Sequence, residues 1–270
     1  MNHIYKTVWN KTKNAFDVVS EVVSSRGKTT GGSKNNSVDV NAENPKNSSF
    51  SAVLTPLAAM LFVQVAFANV DIGPGSNTKV YNANNGVQVI DIATANGAGI
   101  SHNRFVNYNV DKAGQILNNA VQSNNDMSVM TQLAGKIRTN ANLGVSARVI
   151  LNEVVGSNRS NLNGYIEVAG KKADVIIANP YGITCTGCGF INTDRATLTT
   201  GVPNLAQDGR LLNFNVTGGD ILISNKGVDA SAQNLLQLLS RSIKIDGQIN
   251  AQNAEIITGA NEIDATTGQV

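Results

Sequence analysis

A short pattern of alternating residues recurs at a spacing near 20 residues in the last third of this chain. The segment Asp-Ile-Leu-Ile at 220–223 returns 22 residues later as Ser-Ile-Lys-Ile at 242–245. Gly-Val-Asp-Ala at 227–230 returns as Gly-Gln-Ile-Asn-Ala at 247–251. Short strands at this period, separated by Gly, Asn and Asp, are typical of a solenoid in which each coil covers the apolar side of the next. The repeat predicts an all-β chain wound as a right-handed parallel β-helix.

The composition agrees with many short strands joined by turns. The chain has 25 glycines, and only 15% of its residues are charged. A β-sandwich would show more two-residue hairpin turns than this sequence contains. Residues 1–68 carry seven Lys or Arg against four Asp or Glu, whereas residues 69–270 carry fourteen against fifteen. The second part therefore lacks the basic excess of a nucleic-acid-binding domain.

The first 68 residues differ from the rest and predict an export signal outside the folded domain. Apolar residues between Met1 and Val23 have the spacing of an amphipathic helix, and residues 26–49 are rich in Gly, Ser, Asn and Lys with no apolar pattern. A surface helix packed on the core is the alternative for the first segment.

An apolar stretch at 52–67 ends in Ala66-Phe67-Ala68, which predicts a signal peptide cleaved between Ala68 and Asn69. A membrane anchor is the alternative, but the apolar core is short and has no basic stop-transfer flank. We therefore divide the chain into an extension at 1–50, an apolar core with cleavage site at 51–68, and a mature domain at 69–270.

Two segments of the mature domain lack the alternation of a half-buried strand. Residues 113–132 show no strand pattern and predict a loop or an excursion from the coils. Residues 234–240, Asn-Leu-Leu-Gln-Leu-Leu-Ser, fit a short helix or an apolar strand equally well, because seven residues are too few for periodicity to decide.

The segment Asn179 to Phe190 predicts an exposed double turn between two strands. Asn-Pro-Tyr-Gly at 179–182 has the residues of a tight turn, and a second glycine-flanked loop carries Cys185 and Cys188. These are the chain's two cysteines, and a structural disulfide is the better interpretation. Thiol–disulfide exchange needs a helix N-terminus beside the motif, and the residues that follow are strand-like. A metal site would need more ligands than these two cysteines and the distant histidines supply.

This corner resembles the N-P-x-G-I motif and Cys-x-x-Cys loop in the secretion domain of two-partner-secreted exoproteins. That family includes filamentous haemagglutinins, haemolysins of this route and contact-dependent growth-inhibition toxins. One departure is Tyr181, where the family motif usually has Asn. A second family motif, N-P-N-L, is matched only by Val-Pro-Asn-Leu at 202–205, so its role is not transferred. The resemblance extends to 101–110, 150–183, 189–201 and 239–249, and the first residues resemble the family's extended signal peptide.

The resemblance implies a secretion-targeting module of a Gram-negative bacterium, with a capped N-terminus and small β elements outside the coils. The Sec translocon would export it to the periplasm. An outer-membrane transporter with POTRA domains and a β-barrel would then recognise it and pass it to the cell surface. The full protein would be an adhesin, a haemolysin or a growth-inhibition toxin. We expect a monomer without cofactor, metal or nucleic-acid partner. The expected contacts with the transporter are Asn179, Pro180, Tyr181, Gly182 and Ile183.

A secreted β-helical carbohydrate-active enzyme is the alternative function, by analogy with other β-helices. Its carboxylates cannot be assigned, because the acidic residues of the mature domain are scattered and no pair suggests a shared cleft. Acidic residues at solenoid turns are mostly solvated, so the sequence favours a protein that is not an enzyme. The acidic residues weighed for catalysis are Asp174, Asp194, Asp208, Asp220 and Asp229.

Overall fold

The computed structural model describes residues 5–10, 15–20, 70–123 and 126–270. The chain divides into two units, Met1–Leu61 and Phe62–Val270. The described strands of the first unit, β1 (Tyr5–Asn10) and β2 (Ala15–Ser20), pair antiparallel. The amphipathic helix predicted for this segment is therefore wrong. Both strands contain β-branched and aromatic residues, which favour extended backbone. The predicted cleavage residues Ala66, Ala68 and Asn69 lie outside the described residues.

In the described residues of the second unit, all regular secondary structure is β-strand. These residues contain no helix long enough to cross a membrane. In chain order the strands are β3 (Asp71–Ile72), β4 (Lys79–Asn82), β5 (Gln88–Asp91), β6 (Ile100–Asn107), β7 (Gln115–Asn119), β8 (Ser128–Thr131), β9 (Gly135–Arg138), β10 (Val149–Val154), β11 (Ser160–Leu162), β12 (Tyr165–Gly170), β13 (Ala173–Ala178), β14 (Ile183–Cys185), β15 (Cys188–Ile191), β16 (Thr193–Thr199), β17 (Val202–Leu205), β18 (Leu211–Val216), β19 (Asp220–Ile223), β20 (Val228–Ala230), β21 (Leu235–Ser240), β22 (Ser242–Ile245), β23 (Ile249–Ala251), β24 (Ala254–Thr258) and β25 (Asn261–Asp264).

Three sheets form the walls of a parallel β-helix, and the chain visits them in turn. Sheet 1 has the order β24-β21-β16-β13-β10-β6-β3, sheet 2 the order β11-β14-β19-β22, and sheet 3 the order β23-β20-β15-β12-β7-β5-β4. One coil is thus β10, β11 and β12, and the next is β13, β14 and β15. From β5 and β6 onward, successive coils pair parallel in all three sheets. The predicted β-helix is confirmed.

The sequence repeat corresponds to neighbouring strands of two successive coils. In sheet 2, Asp220 pairs with Ser242 and Ile223 with Ile245. In sheet 3, Val228 pairs with Ile249. The internal repeat therefore gave the correct register of these coils, because stacked coils place equivalent residues directly above one another.

Antiparallel elements cap the N-terminal end of the β-helix and flank its walls, as predicted. Strand β3 pairs antiparallel with β6, and β4 pairs antiparallel with β5. Outside the coils, β8 and β9 form a hairpin, and β17, β18 and β25 form a three-stranded antiparallel sheet. The Val-Pro-Asn-Leu segment at 202–205 is strand β17 of this sheet and does not belong to the coils.

The interior between the three sheets is apolar, and two further clusters lie on the outer faces. Phe214 and Ile263 of the three-stranded sheet cover Leu151 and Ile176 of sheet 1. Ile137 of the β8–β9 hairpin belongs to the cluster that covers sheet 3. Strands below these covers are buried on both faces and so show no alternation. Within the interior cluster lie Phe105, Leu117, Ile150, Ile177, Leu198, Ile221 and Leu238.

Burial on both faces explains why two predictions from the sequence were wrong. The loop predicted for 113–132 is wrong in its first part, since β7 is a strand with five buried residues. Its second part enters the β8–β9 hairpin, which is an excursion from the coils. The helical alternative for 234–240 is wrong as well, because β21 is a nearly fully buried strand of sheet 1.

Candidate recognition site

The segment Asn179–Ile183 forms the corner between β13 of sheet 1 and β14 of sheet 2. The Asn179 N–H donates to the carbonyl of Thr199 in the next coil, at 2.9 Å. The Gly182 N–H donates back to the Asn179 carbonyl at 3.0 Å, which closes a four-residue turn around Pro180 and Tyr181. Gly182 has a φ of 110°, a left-handed conformation that favours glycine.

The side chain of Asn179 joins this corner to the preceding coil. Its amide nitrogen donates to the Asn158 carbonyl at 3.0 Å and to the Ser160 hydroxyl at 2.9 Å. Its amide oxygen accepts the N–H of Tyr181 at 2.9 Å. Asn179 is 0% exposed, and its bond to Ser160 is fully buried, whereas the bonds with Asn158 and Tyr181 are partly buried. The residue is a structural connection between two coils.

Arg159 fixes the underside of the corner through an ion pair. Its guanidinium forms two bonds with the Asp220 carboxylate, at 2.9 and 2.6 Å, and its Nε donates to Thr184 Oγ1 at 2.7 Å. The hydrogen bond from Arg159 lowers the pKa of Asp220 below its ordinary value. A Cβ at Gly182 would lie 2.5 Å from Arg159 Nη1, so glycine also leaves room for this pair.

The five residues of the corner differ sharply in their accessibility. Asn179, Gly182 and Ile183 are buried, Pro180 is half-buried, and Tyr181 is 54% exposed. The predicted exposed corner is therefore wrong for all but Tyr181 and part of Pro180. The physical reason is that the Asn side chain turns inward to satisfy backbone and hydroxyl groups of the coil beside it.

The second loop, between β14 and β15, carries the predicted disulfide. Cys185 and Cys188 are bonded, with their Cα atoms 5.3 Å apart. Both are fully buried and belong to the interior apolar cluster, so the expectation of an exposed second loop is wrong for the cysteines. Gly187 turns the chain with a φ of 75°, and its N–H donates to the Gly227 carbonyl of a later coil at 3.0 Å. The disulfide holds a buried corner of the β-helix.

Sequence reasoning did not identify Arg159 or Asp220 as part of this corner. The two residues are 61 positions apart and meet only because coils stack. The described residues contain no group of three His, Cys, Asp or Glu side chains arranged to hold a metal ion. The corner is thus built from turns, one amide and one ion pair.

Comparison with known proteins decides the family to which this chain belongs. The family model described as the TPS secretion domain matches residues 66–270. The chain belongs to the TPS secretion domain family. A second model, the extended signal peptide of the type V secretion system, matches residues 1–42. Both resemblances seen in the sequence are therefore confirmed.

Relatives of this TPS domain include much longer proteins. The chain is 49% identical over 79% of its length to a protein named tRNA nuclease CdiA from Yersinia mollaretii, of which it covers 7%. It is 48% identical over 80% of its length to a 16S rRNA endonuclease CdiA from Enterobacter cloacae subsp. cloacae, of which it covers 6%. The chain thus spans less than a tenth of the length of these relatives.

A solved structure has the same architecture. The secretion domain of filamentous hemagglutinin superposes with a TM-score of 0.67 and 32% sequence identity, covering 74% of this chain and 67% of the other. The TPS domain is the secretion-targeting module of a two-partner exoprotein, and its partner is an outer-membrane transporter. The extended signal peptide and the TPS domain direct export through the periplasm to the outer cell surface.

Proposed function

We propose that the transporter recognises Asn179, Pro180, Tyr181, Gly182 and Ile183 as a linear segment of an extended chain, before the TPS domain folds. The observation that supports this order is the burial of Asn179, Gly182 and Ile183 in the folded domain. A partner that reads these side chains needs them accessible. Only the unfolded chain presents all five together.

The proposed route begins at the inner membrane. The Sec translocon exports the chain, and cleavage between Ala68 and Asn69 releases the mature domain 69–270 from the extension 1–50 and the apolar segment 51–68. POTRA domains of the transporter bind the extended chain in the periplasm and pass it to the β-barrel. The chain then folds as a monomer at the cell surface.

The stacked coils support the last step of this route. Successive coils pair through parallel strands, so a folded coil offers a template for the next one. Burial of apolar side chains between the sheets supplies free energy as the chain leaves the barrel. Folding at the surface would therefore favour net outward movement.

For the whole protein, we propose a contact-dependent growth-inhibition exoprotein. The support is the similarity to relatives named CdiA, of which this chain covers 7% and 6%. The toxic activity would reside in the remainder. The TPS domain itself would have no enzymatic role, and no arrangement of its described carboxylates favours the carbohydrate-active alternative over secretion.

Whether recognition precedes folding can be tested by comparing the affinity of the transporter for this segment as a free peptide and within the folded domain. We expect immobilised POTRA domains of the cognate transporter to bind a peptide of residues 171–184 and to bind the purified folded domain at least about tenfold more weakly, a difference of about 1.4 kcal/mol. Biolayer interferometry measures both affinities. Asn179→Ala in the peptide should weaken binding, and a peptide of the same composition in scrambled order is the control.

The opposite pattern would contradict the proposal. Tight binding of the folded domain, unaffected by a Tyr181→Ala substitution, would place recognition on another surface. Tight binding of the folded domain that is lost in Tyr181→Ala would instead show that the transporter reads the folded corner through its exposed tyrosine.

A further inference from the structure

A second feature lies on the outer face of sheet 3, where one tyrosine side chain connects three successive coils. Tyr165 of β12 pairs with Gly189 of β15, Gly189 pairs with Asp229 of β20, and Asp229 pairs with Asn250 of β23. These four residues therefore form one column across four successive coils. The Tyr165 hydroxyl donates to Asp229 Oδ2 at 2.7 Å, so the side chain crosses over Gly189 to reach its partner.

The tyrosine ring lies with its face on Gly189. A Cβ on this glycine would be closest to ring atom Cε1 and would lie 2.7 and 2.9 Å from Cδ1 and Cζ, the two atoms bonded to Cε1. Such nearly equal distances arise when the ring is approached from above, since an approach along its edge would leave those two atoms farther away. One face is thus against the sheet, and 37% of the residue remains exposed.

The far end of the ring is held by a fixed carboxylate. Asp229 Oδ1 accepts the Ser231 N–H at 3.1 Å and the Ser231 hydroxyl at 2.7 Å, and the Asn250 amide reaches it at 3.3 Å. The hydrogen bond from Tyr165 lowers the pKa of Asp229, and the same bond raises the pKa of Tyr165. At neutral pH the pair is therefore a neutral hydroxyl donating to a charged carboxylate.

A cavity of about 270 Å³ opens beside the ring. Its lining combines an ammonium group and a carboxylate, whose formal charges cancel, with two neutral amides. Both amide residues are exposed, so their side chains can reorient toward a ligand. The polar residues around the cavity are Lys226, Asp229, Gln248 and Asn250.

We infer that Tyr165 and this cavity form a binding subsite for one pyranose unit of a glycan. The C–H groups of a pyranose face carry partial positive charge and suit the negative face of an aromatic ring, while its hydroxyls suit adjacent donors and acceptors. A nucleic acid would need a basic groove, and the charges here cancel. Pockets for drug-sized ligands have volumes of about 300 Å³ or more, so this smaller cavity suits a single sugar unit.

This subsite is separate from the Asn179–Ile183 corner and does not depend on how the transporter recognises the chain. An exported domain meets glycans at the cell surface, so the subsite would act after secretion. Its rigidity supports binding, because the ring is fixed by Gly189 below and Asp229 at its end and loses little freedom on contact with a ligand.

Saturation-transfer NMR on the purified domain tests the inference with methyl glycosides of glucose, galactose, mannose and N-acetylglucosamine. We expect transfer to the ring protons of at least one glycoside, with a dissociation constant of about 1 mM or weaker. Tyr165→Ala should abolish the transfer. Gln248→Ala, an exposed change that leaves the ring in place, should weaken binding at least about threefold. Tyr181→Ala, on another face, should leave binding unchanged.

Two results would overturn the inference. One is no transfer to any of the four glycosides from the folded wild-type domain. The other is equal transfer from wild type and from both the Tyr165→Ala and Gln248→Ala variants, with folding verified by circular dichroism. Transfer to adenosine monophosphate but to none of the sugars would also reject a saccharide subsite.

Discussion

Asn179 shows how a single buried amide can determine the shape of a corner. An amide is the side chain that supplies two N–H donors and an acceptor from one planar group, and Asn179 uses them on Asn158, Ser160 and Tyr181. An aspartate would lack the donors, and an alanine would remove all three bonds. The motif's first residue is therefore required by the fold, independently of any partner.

Asn179→Ala should destabilise the folded domain by about 2–4 kcal/mol, since it removes three hydrogen bonds worth about 0.5–1.5 kcal/mol each and leaves the buried Ser160 hydroxyl without this partner. Tyr181→Ala, two residues away and exposed, should change stability by no more than about 0.5 kcal/mol. Urea unfolding followed by circular dichroism measures both. Equal effects of the two substitutions would show that the Asn179 bonds contribute little.

At this scale the sequence predicted the residues of the corner but not their environment. Turn chemistry identified Asn179, Pro180 and Gly182, and spacing identified the disulfide. The burial of Asn179 could not be predicted, because its partner Ser160 is 19 residues away and is brought close by coil stacking. The roles in recognition remain proposals, since local chemistry does not specify a partner.

Among the elements, the loop between β14 and β15 is constrained by a covalent bond and by hydrogen bonds to both neighbouring coils. Its disulfide closes a ring of four residues, and both sulfur atoms lie in the interior apolar cluster. Gly187 and the Thr186 N–H, which donates to the Leu162 carbonyl at 2.8 Å, connect the loop to the coils on either side. A covalent bond and coil packing thus act on the same turn.

Replacing both cysteines by alanine should lower the free energy of unfolding by about 2–4 kcal/mol. Loss of a four-residue closure accounts for about 2 kcal/mol, and loss of buried sulfur atoms accounts for the rest. Chemical unfolding of the double variant against wild type measures the difference. The domain should still fold, because the stacked coils do not depend on this one turn. A double variant as stable as wild type would contradict a structural role for the disulfide.

Element types were harder to predict where a strand is covered on both faces. Alternation revealed β19 and β22 of sheet 2, but β7 and β21 have no solvated face and so no alternating pattern. Their covers come from distant segments, namely the β8–β9 hairpin and the three-stranded sheet. The helix predicted within Met1–Val23 was wrong for another reason. The prediction relied on the spacing of apolar residues and gave too little weight to the strand preference of the β-branched and aromatic residues.

At the scale of the second unit, the β-helix is a stack whose coils differ in how completely they are buried. Strands β10 and β13 in the middle of sheet 1 are almost entirely buried, whereas β22 and β24, in the last described coils, are largely exposed. In a stack with interactions between neighbouring coils, stability depends on the number and quality of the contacts on each side. Protection against local opening should therefore fall toward the last coil.

Hydrogen–deuterium exchange followed by mass spectrometry should show this gradient. Peptides covering Val149–Ala178 should exchange most slowly, and peptides covering Ser242–Thr258 should exchange at least about tenfold faster, because less burial opposes their local unfolding. Uniform protection across all coils would show that the domain opens only as a single cooperative unit.

The three-stranded sheet gives this assembly a fixed order in time. Strand β25 pairs with β18, and Asn213 bonds to Glu262 across 49 residues of chain. The intervening residues wind through β19 to β24 before β25 arrives. In a chain that folds from its N-terminus, Phe214 therefore reaches the outer face of Leu151 and Ile176 first, and the cover is completed only when Ile263 emerges. The earlier coils are thus sealed by a segment made after them.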